Sequence, residues 1–179
     1  METVTYNTLR ALRPISGGEE SLSIRGVIRR FFDPSDDPVD MHPDYQRGTC
    51  WSDDQCAKFM GFMAEGGSAP YVWIQRDPGY KKQDELVDGL QRITAVRRFY
   101  LNEVPMELTD GTRMYLRDFS SEDQKMLCGN GGPVLTIKYT KYENRADVLR
   151  FYIRLNRGGT VHSDAEIDRV RELLAKESA

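Results

Sequence analysis

Residues 85–96, with the sequence ELVDGLQRITAV, decide how this chain folds. Leu86 and Val87, which follow Glu85, predict a short buried strand, which Asp88 and Gly89 interrupt. Apolar residues then recur at helical spacing up to residue 100. An acid, a glycine, an amide and a guanidinium would therefore meet at one helix N-terminus, where backbone N–H groups bind anions. The segment predicts a strand–turn–helix unit with a site for a phosphate-bearing ligand.

Each polar residue of this turn has two interpretations. In the functional one, Gly89 lets the backbone approach a phosphate closely, and Arg92 offers a planar fork of donors for phosphate oxygens. Asp88 is suited to hold a magnesium ion or to orient a water molecule. In the structural one, Asp88 and Gln91 form an N-cap and its capping-box partner, and Arg92 is a solvated surface residue. Spacing alone favours the structural interpretation, because capping boxes are common.

A second polar motif lies at residues 42–51, HPDYQRGTCW, just before a predicted helix. Tyr45 is suited to base stacking, although it would serve equally well in the core. Arg47 is suited to phosphate contact, and neither it nor Gln46 has an obvious structural duty. Trp51 precedes the expected N-cap Ser52 and is placed to form half of a hydrophobic staple. The motif predicts a ligand-contacting loop.

A third motif, RLNRGGTVHS at residues 154–163, separates the last two predicted helices. Its glycine pair is first of all a helix C-cap and turn. Asn156, Arg157 and Thr160 nevertheless crowd polar groups at one helix junction, where a nest of backbone N–H groups can take an anion. His162 is explained as a helix-entry residue or a surface side chain, since an isolated histidine is more often structural than catalytic.

The rest of the chain predicts alternating helices and short strands, in the α+β class, with a small mixed sheet flanked by helices. The predicted elements are helices at 21–32, 52–65, 90–100, 120–128, 144–156 and 163–176, and strands at 71–74, 85–87, 104–108, 112–116 and 134–139. Ser52 and Gln55 form one expected capping box, and Ser163 and Glu166 another. We assign residues 1–20 to an N-terminal arm or edge strand and residues 21–179 to a single domain.

Composition excludes several classes of protein. The formal net charge is -3, so nucleic-acid contact would need a local basic patch. Three cysteines without short paired spacing indicate reduced thiols, and with only two histidines a zinc site is not expected. A P-loop motif is absent, and no apolar run reaches membrane-spanning length. We expect a cytoplasmic protein with no membrane association.

The three motifs, taken in order, resemble a family of prokaryotic and phage domains named for an Asp-Gly-Gln-Gln-Arg motif. This family includes the N-terminal domain of GmrSD-type modification-dependent restriction proteins and belongs to the ParB and sulfiredoxin superfamily. Residues 45–47 and Trp51 match its Tyr/Phe-Gln-Arg element, residues 88–94 match its signature, and residues 156–159 match its Asn-x-x-Gly helix end. Leu90 departs from the family, which usually has Gln at that position.

The resemblance implies a compact ParB/sulfiredoxin-like domain that binds a nucleoside triphosphate with Mg²⁺. It implies a stand-alone, phage- or defence-associated member that contacts DNA or a separate nuclease or effector. The implied catalytic residues are Asp88, Gln91 and Arg92, with Asp88 also the metal ligand. The implied nucleotide-binding residues are Tyr45, Gln46, Arg47, Gly89, Thr94, Asn156, Arg157 and Gly158.

Four functions compete at this stage. The first is a Mg²⁺-dependent NTPase or switch in DNA restriction, defence or counter-defence, and the second is a phosphotransferase acting on a hydroxyl acceptor. The third is a ParB-like nuclease, for which two-metal chemistry would need clustered carboxylates, and of these the motifs offer only Asp88 and Asp44. The fourth is a non-enzymatic module that binds DNA or protein through Arg25, Arg29, Arg30 and Arg47. We expect an enzyme of the first or second kind.

Overall fold

The computed structural model describes residues 17–33, 39–46, 48–76, 83–129, 131–156 and 164–177. Its elements in chain order are β1 (Gly18–Ser23), α1 (Ile24–Phe32), α2 (Asp53–Ala64), β2 (Val72–Gln75), β3 (Glu85–Asp88), α3 (Leu90–Tyr100), β4 (Met106–Glu107), β5 (Arg113–Met114), α4 (Ser121–Cys128), β6 (Val134–Thr140), α5 (Arg145–Asn156) and α6 (Asp164–Glu177). A short 3₁₀ turn, Leu116–Asp118, was not predicted. The α+β class is confirmed.

The main sheet has four strands in the order β1-β6-β2-β3. β6 pairs parallel with β2, whereas the β1–β6 and β2–β3 pairs are antiparallel, so the sheet is mixed as predicted. Asp40 lies against the outer edge of β3. Its N–H donates to the Asp84 carbonyl and its carbonyl accepts from the Leu86 N–H, each at 2.8 Å. The second motif is thereby brought alongside the strand that leads into the first.

Hydrophobic side chains pack on both faces of this sheet. Val72 and Ile74 of β2 join the larger cluster, which also holds α1, α2 and α3 residues, while Trp73 between them packs against the smaller one. The smaller cluster holds Tyr45 and Val87 together with residues of α5 and α6. This alternation follows from the period-2 geometry of a strand buried on both faces. The sheet and its flanking helices fix both ends of α3.

The start of the first helix was predicted wrongly. Ser21 and Leu22 belong to β1, where they pair with Thr136 and Leu135, and α1 begins only after Ser23. The Ser23 hydroxyl accepts from the Gly26 N–H and caps the helix. Pairing with β6 overrides the local helical pattern because it satisfies the backbone groups of this segment in the sheet. The boundary that we drew between residues 20 and 21 falls inside β1.

The other element predictions that lie within the described residues agree with the structure to within a few residues. The capping box of α2 is present, since the Ser52 hydroxyl accepts from the Gln55 N–H and the Gln55 side chain accepts from the Ser52 N–H. Strands β4 and β5 form the predicted hairpin around Asp110 and Gly111 but are only two residues long each. The predicted Ser163–Glu166 box lies outside the described side chains.

Candidate functional site

Helix α3 begins at a glycine that provides no side-chain cap. Gly89 is the N-cap residue, with φ of 117° in the left-handed region, and its carbonyl accepts the first helical bond from the Ile93 N–H at 3.0 Å. The capping box that we considered for Asp88 and Gln91 is therefore wrong. The first N–H groups of α3 have no side-chain acceptor of the kind that Ser52 provides to α2.

The tertiary structure requires glycine at position 89. A Cβ built there would lie 2.8 Å from Val72 Cγ2, and the positive φ is unfavourable for any residue with a side chain. The approach is close because β3 holds an extra residue, Val87, between the Trp73–Asp88 and Ile74–Leu86 pairs. Such a bulge bends the strand and redirects the residue that follows it. Here that residue is Asp88.

Asp88 and Arg92 form an ion pair across the first turn of α3. Arg92 Nη2 donates to Asp88 Oδ2 at 2.7 Å and to the Tyr71 carbonyl at 2.9 Å. The Arg92 side chain is 13% exposed and that of Asp88 34%. Arg92 Nε is buried and has no hydrogen-bond partner among the described residues. Because a buried donor without a partner is energetically unfavourable, Arg92 retains a hydrogen-bonding capacity that the described chain does not use.

Gln91 holds the second motif against the start of α3. Its Oε1 accepts from the N–H groups of Cys50 and Trp51, at 2.9 and 3.2 Å, and its Nε2 donates to the Gly48 carbonyl at 3.0 Å. All three bonds close on residues that immediately follow the Tyr-Gln-Arg element. The structure thus gives Gln91 a positioning contact that neither the capping nor the ligand interpretation anticipated.

Tyr45 and Gln46 contact β3 rather than solvent. Tyr45 is 4% exposed, donates from its hydroxyl to Glu85 Oε1 at 2.9 Å, and packs against Tyr152 with ring centroids 5.1 Å apart. This is the core alternative for Tyr45, and in this conformation its ring is not available to stack on a base. Gln46 Nε2 donates weakly to the Leu86 and Val87 carbonyls, at 3.4 and 3.3 Å.

The remaining predicted site residues lie further along α3, at the end of α5, or beyond the described residues. Thr94 is half-buried on α3, four residues beyond its first residue. Asn156 ends α5, and its Nδ2 donates to the Tyr152 carbonyl at 2.9 Å. Arg47, Arg157 and Gly158 lie outside the described residues, as do Thr160 and His162.

Sequence reasoning missed Tyr71 as a neighbour of the site. Its carbonyl holds Arg92, and its exposed ring lies under the Lys138 ammonium, with Nζ 3.9 Å from the ring centroid. Trp73 packs edge-on against it at 6.2 Å. The signal was present in part, because an aromatic residue at the start of a predicted strand was visible, but its proximity to Arg92 depends on how β2 and α3 pack.

The described residues contain no group of three His, Cys, Asp or Glu side chains arranged to hold a metal ion. Asp88 offers a single carboxylate, one oxygen of which already accepts from Arg92. A single carboxylate fits the way Mg²⁺ is bound together with substrate phosphates, but not an all-protein metal cage. Any metal at this position would therefore depend on the ligand for most of its coordination.

Comparison with known proteins identifies the family. The model of the GmrSD restriction endonuclease N-terminal domain matches residues 28–129, which is more than half of the chain. The chain belongs to this family. The matched GmrSD region contains the Tyr-Gln-Arg element, Trp51 and the whole Asp88–Thr94 signature, whereas Asn156 lies beyond it. Membership of the GmrSD family indicates a role in restriction.

The other comparisons add no further relative. No curated protein and no solved structure is significantly similar to this GmrSD-type chain. Among its described helices, none combines the length and the apolar character needed to cross a lipid bilayer.

Proposed function

We propose that this domain binds a nucleoside triphosphate with Mg²⁺ at the start of α3 and hydrolyses it, acting as a switch in DNA restriction. The observation that carries the proposal is Arg92 Nε, a buried donor without a partner in the described chain, beside a helix start that has no side-chain cap. Helix N-termini attract anions through their N–H groups and the helix dipole. A guanidinium next to such a start makes a phosphate the best-matched ligand.

Within this proposal, the ion pair between Asp88 and Arg92 makes binding of the metal depend on binding of the nucleotide. Arg92 neutralises the Asp88 carboxylate, so a free Mg²⁺ ion meets little net negative charge at this position. The nucleotide brings its own phosphate oxygens, and Asp88 then contributes one ligand to the metal. When bound, Mg²⁺ would neutralise charge that develops on the phosphates. We therefore expect nucleotide and metal to bind together and Mg²⁺ alone to bind poorly.

The remaining residues position the ligand. Gln91 fixes residues 48–51 against α3 and so holds the loop that carries the Tyr-Gln-Arg element at the site. Hydrolysis would proceed by attack of water on the γ-phosphorus and cleavage of its bond to the β–γ bridging oxygen, yielding the diphosphate and inorganic phosphate. Positioning and charge neutralisation are most of what this reaction requires of a protein. The nucleotide state would in turn control contact with DNA or with a separate nuclease or effector.

A thermal-shift screen with ATP, GTP, CTP and UTP, each with and without Mg²⁺, tests this proposal. A ligand that binds only the folded state stabilises it by about 2.7 kcal/mol at a hundred times its Kd. We expect a shift with at least one nucleotide plus Mg²⁺, its loss in Arg92→Ala, and partial retention in Arg92→Lys, which keeps the charge but not the fork. Mg²⁺ alone should leave the melting temperature unchanged.

Arg171→Ala is the control, because Arg171 also forms an ion pair with an acid shortly before it in sequence, Asp168 at 2.6 Å on α6. Its nucleotide shift should equal that of wild type. Near-UV circular dichroism establishes that each variant is folded. Absence of a shift with all four nucleotides, or equal loss in Arg92→Ala and Arg171→Ala, would overturn the proposal. Phosphate release measured with and without hydroxyl acceptors then separates hydrolysis from phosphotransfer.

A further inference from the structure

A cavity lies at the opposite end of α3 from Gly89. It is an open cavity of about 410 Å³, lined by residues of α1, the end of α3, the 3₁₀ turn and α4. The eleven residues of α3 rise about 1.5 Å each, so this cavity is about 16 Å from the Asp88 site along the helix. Its size is within the range of pockets that hold small-molecule ligands.

Among the described residues, the charged side chains that line this cavity are all positive. Arg25 from α1 and Lys125 from α4 are the ionised side chains of its wall, and neither has an ion-pair partner among the described residues. Glu122 and Asp123, the acids of the first turn of α4, are not part of the lining. The floor includes Cys128, whose thiol has its pKa raised by burial against the opposing effect of Arg25, so it adds no negative charge near neutral pH. The cavity therefore presents two positive charges.

Two neutral polar side chains of the cavity each make one hydrogen bond to the protein and keep a second group for a ligand. Asn102 Oδ1 accepts from the Arg117 N–H at 2.7 Å, which leaves its Nδ2 as a donor without a partner in the described chain. Gln124 Nε2 donates to the Phe119 carbonyl at 2.9 Å, which leaves its Oε1 as an acceptor. A ligand body with hydroxyl groups can satisfy both, because a hydroxyl donates and accepts.

We propose that this cavity is a second ligand site, separate from the Asp88 site, that binds a small phosphomonoester with a hydroxylated body, of the sugar-phosphate class. A phosphomonoester carries nearly two negative charges at neutral pH, which matches the two unpaired cations. The arginine provides a fork of donors and the lysine a point charge for the same group. The volume leaves room for a pentose beyond the phosphate, which Asn102 and Gln124 would contact.

Isothermal titration of the full chain with ribose 5-phosphate, without Mg²⁺, tests this proposal. Ribose without phosphate and a short DNA duplex with hydroxyl ends are the comparison probes. We expect saturable binding of ribose 5-phosphate at millimolar concentration or below. Arg25→Ala and Lys125→Ala should each weaken it by about tenfold, since each removes one charge-assisted hydrogen-bond donor. Both side chains are exposed, so both variants should fold.

Two controls separate this site from general charge effects and from the Asp88 site. Lys58→Ala removes one exposed positive charge from α2, outside the cavity, and should leave the affinity unchanged. Arg92→Ala should also leave it unchanged, so failure of the nucleotide proposal would not affect this one. In ¹H–¹⁵N spectra, ribose 5-phosphate should shift the side-chain amide signals of Asn102 and Gln124.

Four outcomes would overturn the proposal. They are the absence of saturable binding of ribose 5-phosphate, equal affinity for ribose, equal weakening in Lys58→Ala, and weakening in Arg92→Ala but not in Arg25→Ala. Binding of the DNA duplex that depends on Arg25 and Lys125, without binding of the sugar phosphate, would reject the small ligand in favour of a nucleic-acid surface.

Discussion

Helices α2 and α3 pack side by side, and their first turns are closed in different ways. Ser52 and Gln55 at the start of α2 exchange side-chain and backbone hydrogen bonds, so α2 satisfies its own first donors. At the start of α3, Gly89 offers no side chain, Asp88 binds Arg92, and Gln91 reaches back to the loop before α2. One helix start is complete by itself, whereas the other is built from three segments of the chain.

This difference indicates where binding free energy is available. A capped helix start has donors that are already paired, so an anion gains little there. At α3 the donors of the first turn and the buried Arg92 Nε remain without side-chain acceptors in the described structure. Similar sequence patterns, Ser/Asp-x-x-Gln, thus serve folding at one helix and leave a candidate site at the other.

The largest effect is expected from a substitution at Gly89, the N-cap residue of α3. Gly89→Ala places a Cβ against Val72 and forces an unfavourable φ, so it should lower the free energy of unfolding by about 3 kcal/mol. Gly66→Ala, which has φ of 89° but nothing within 4 Å of the added Cβ, should lower it by only about 1 kcal/mol. Urea unfolding of both variants measures the difference. Equal losses would mean that the contact with Val72 is unimportant.

The next largest effect distinguishes the contribution of Gln91 to stability from that of Gln55, the glutamine of the same sequence pattern at the start of α2. Gln91→Ala removes three hydrogen bonds to residues 48–51 and should lower the free energy of unfolding by about 2 kcal/mol. Gln55→Ala removes one cap bond and should lower it by about 0.5–1 kcal/mol. Amide hydrogen exchange at Cys50 and Trp51 should accelerate in the first variant and not in the second. Unchanged exchange in Gln91→Ala would contradict the positioning role.

The two helix starts should also differ in how stability and ligand binding are coupled. Ser52→Ala should lower the free energy of unfolding by about 1 kcal/mol and leave nucleotide affinity unchanged. Asp88→Asn, which removes a partly exposed ion pair, should lower it by less than about 1 kcal/mol yet weaken Mg²⁺-dependent nucleotide binding. Denaturant unfolding and nucleotide titration of both variants test this. The reverse pattern would make Asp88 a purely structural residue.

A smaller effect concerns the three thiols. Cys50 is exposed in the loop that Gln91 holds, whereas Cys56 on α2 and Cys128 on α4 are buried. Burial raises the pKa of the Cys56 and Cys128 thiols, so they stay protonated where exposed thiols ionise. A thiol reagent at pH 8 should therefore modify Cys50 alone in the folded protein and all three in urea. Mass spectrometry of the products identifies which cysteines are modified, and modification of Cys56 or Cys128 in the folded protein would contradict the prediction.

The same raised pKa values predict a modest pH dependence of stability. Unfolded thiols lose their protons above about pH 8.5, while the folded protein retains them on Cys56 and Cys128 up to a higher pH. The folded state then binds more protons than the unfolded state, so the free energy of unfolding falls as pH rises through this range. Cys56→Ala combined with Cys128→Ala should flatten the decline. A steeper decline in that double variant would contradict the thiol assignment.

Local pattern was sufficient for elements whose signals agreed with each other. The Ser52 box, the β-branched run of β6 and the alternation of strand and helix around Asp88 were all readable because propensity, spacing and capping pointed the same way. Pattern failed at residues 21–23, where a helical spacing of apolar residues was overridden by pairing with β6. It also failed to anticipate the contacts of Gln91, since its partners lie 40 to 43 residues away in sequence.

The sequence by itself determined the α+β class, the order of elements, the family and the residues of its signature, because these depend on local periodicity and on residue types at fixed spacing. Only the tertiary structure decided that Gly89 and not Asp88 begins α3, that Tyr45 is a core residue, and that Tyr71 lies beside Arg92. Those outcomes depend on the bulge at Val87 and on how β2, β3, residues 39–46 and residues 48–51 pack around one helix start. Long-range packing of this kind produces no periodic pattern in the sequence.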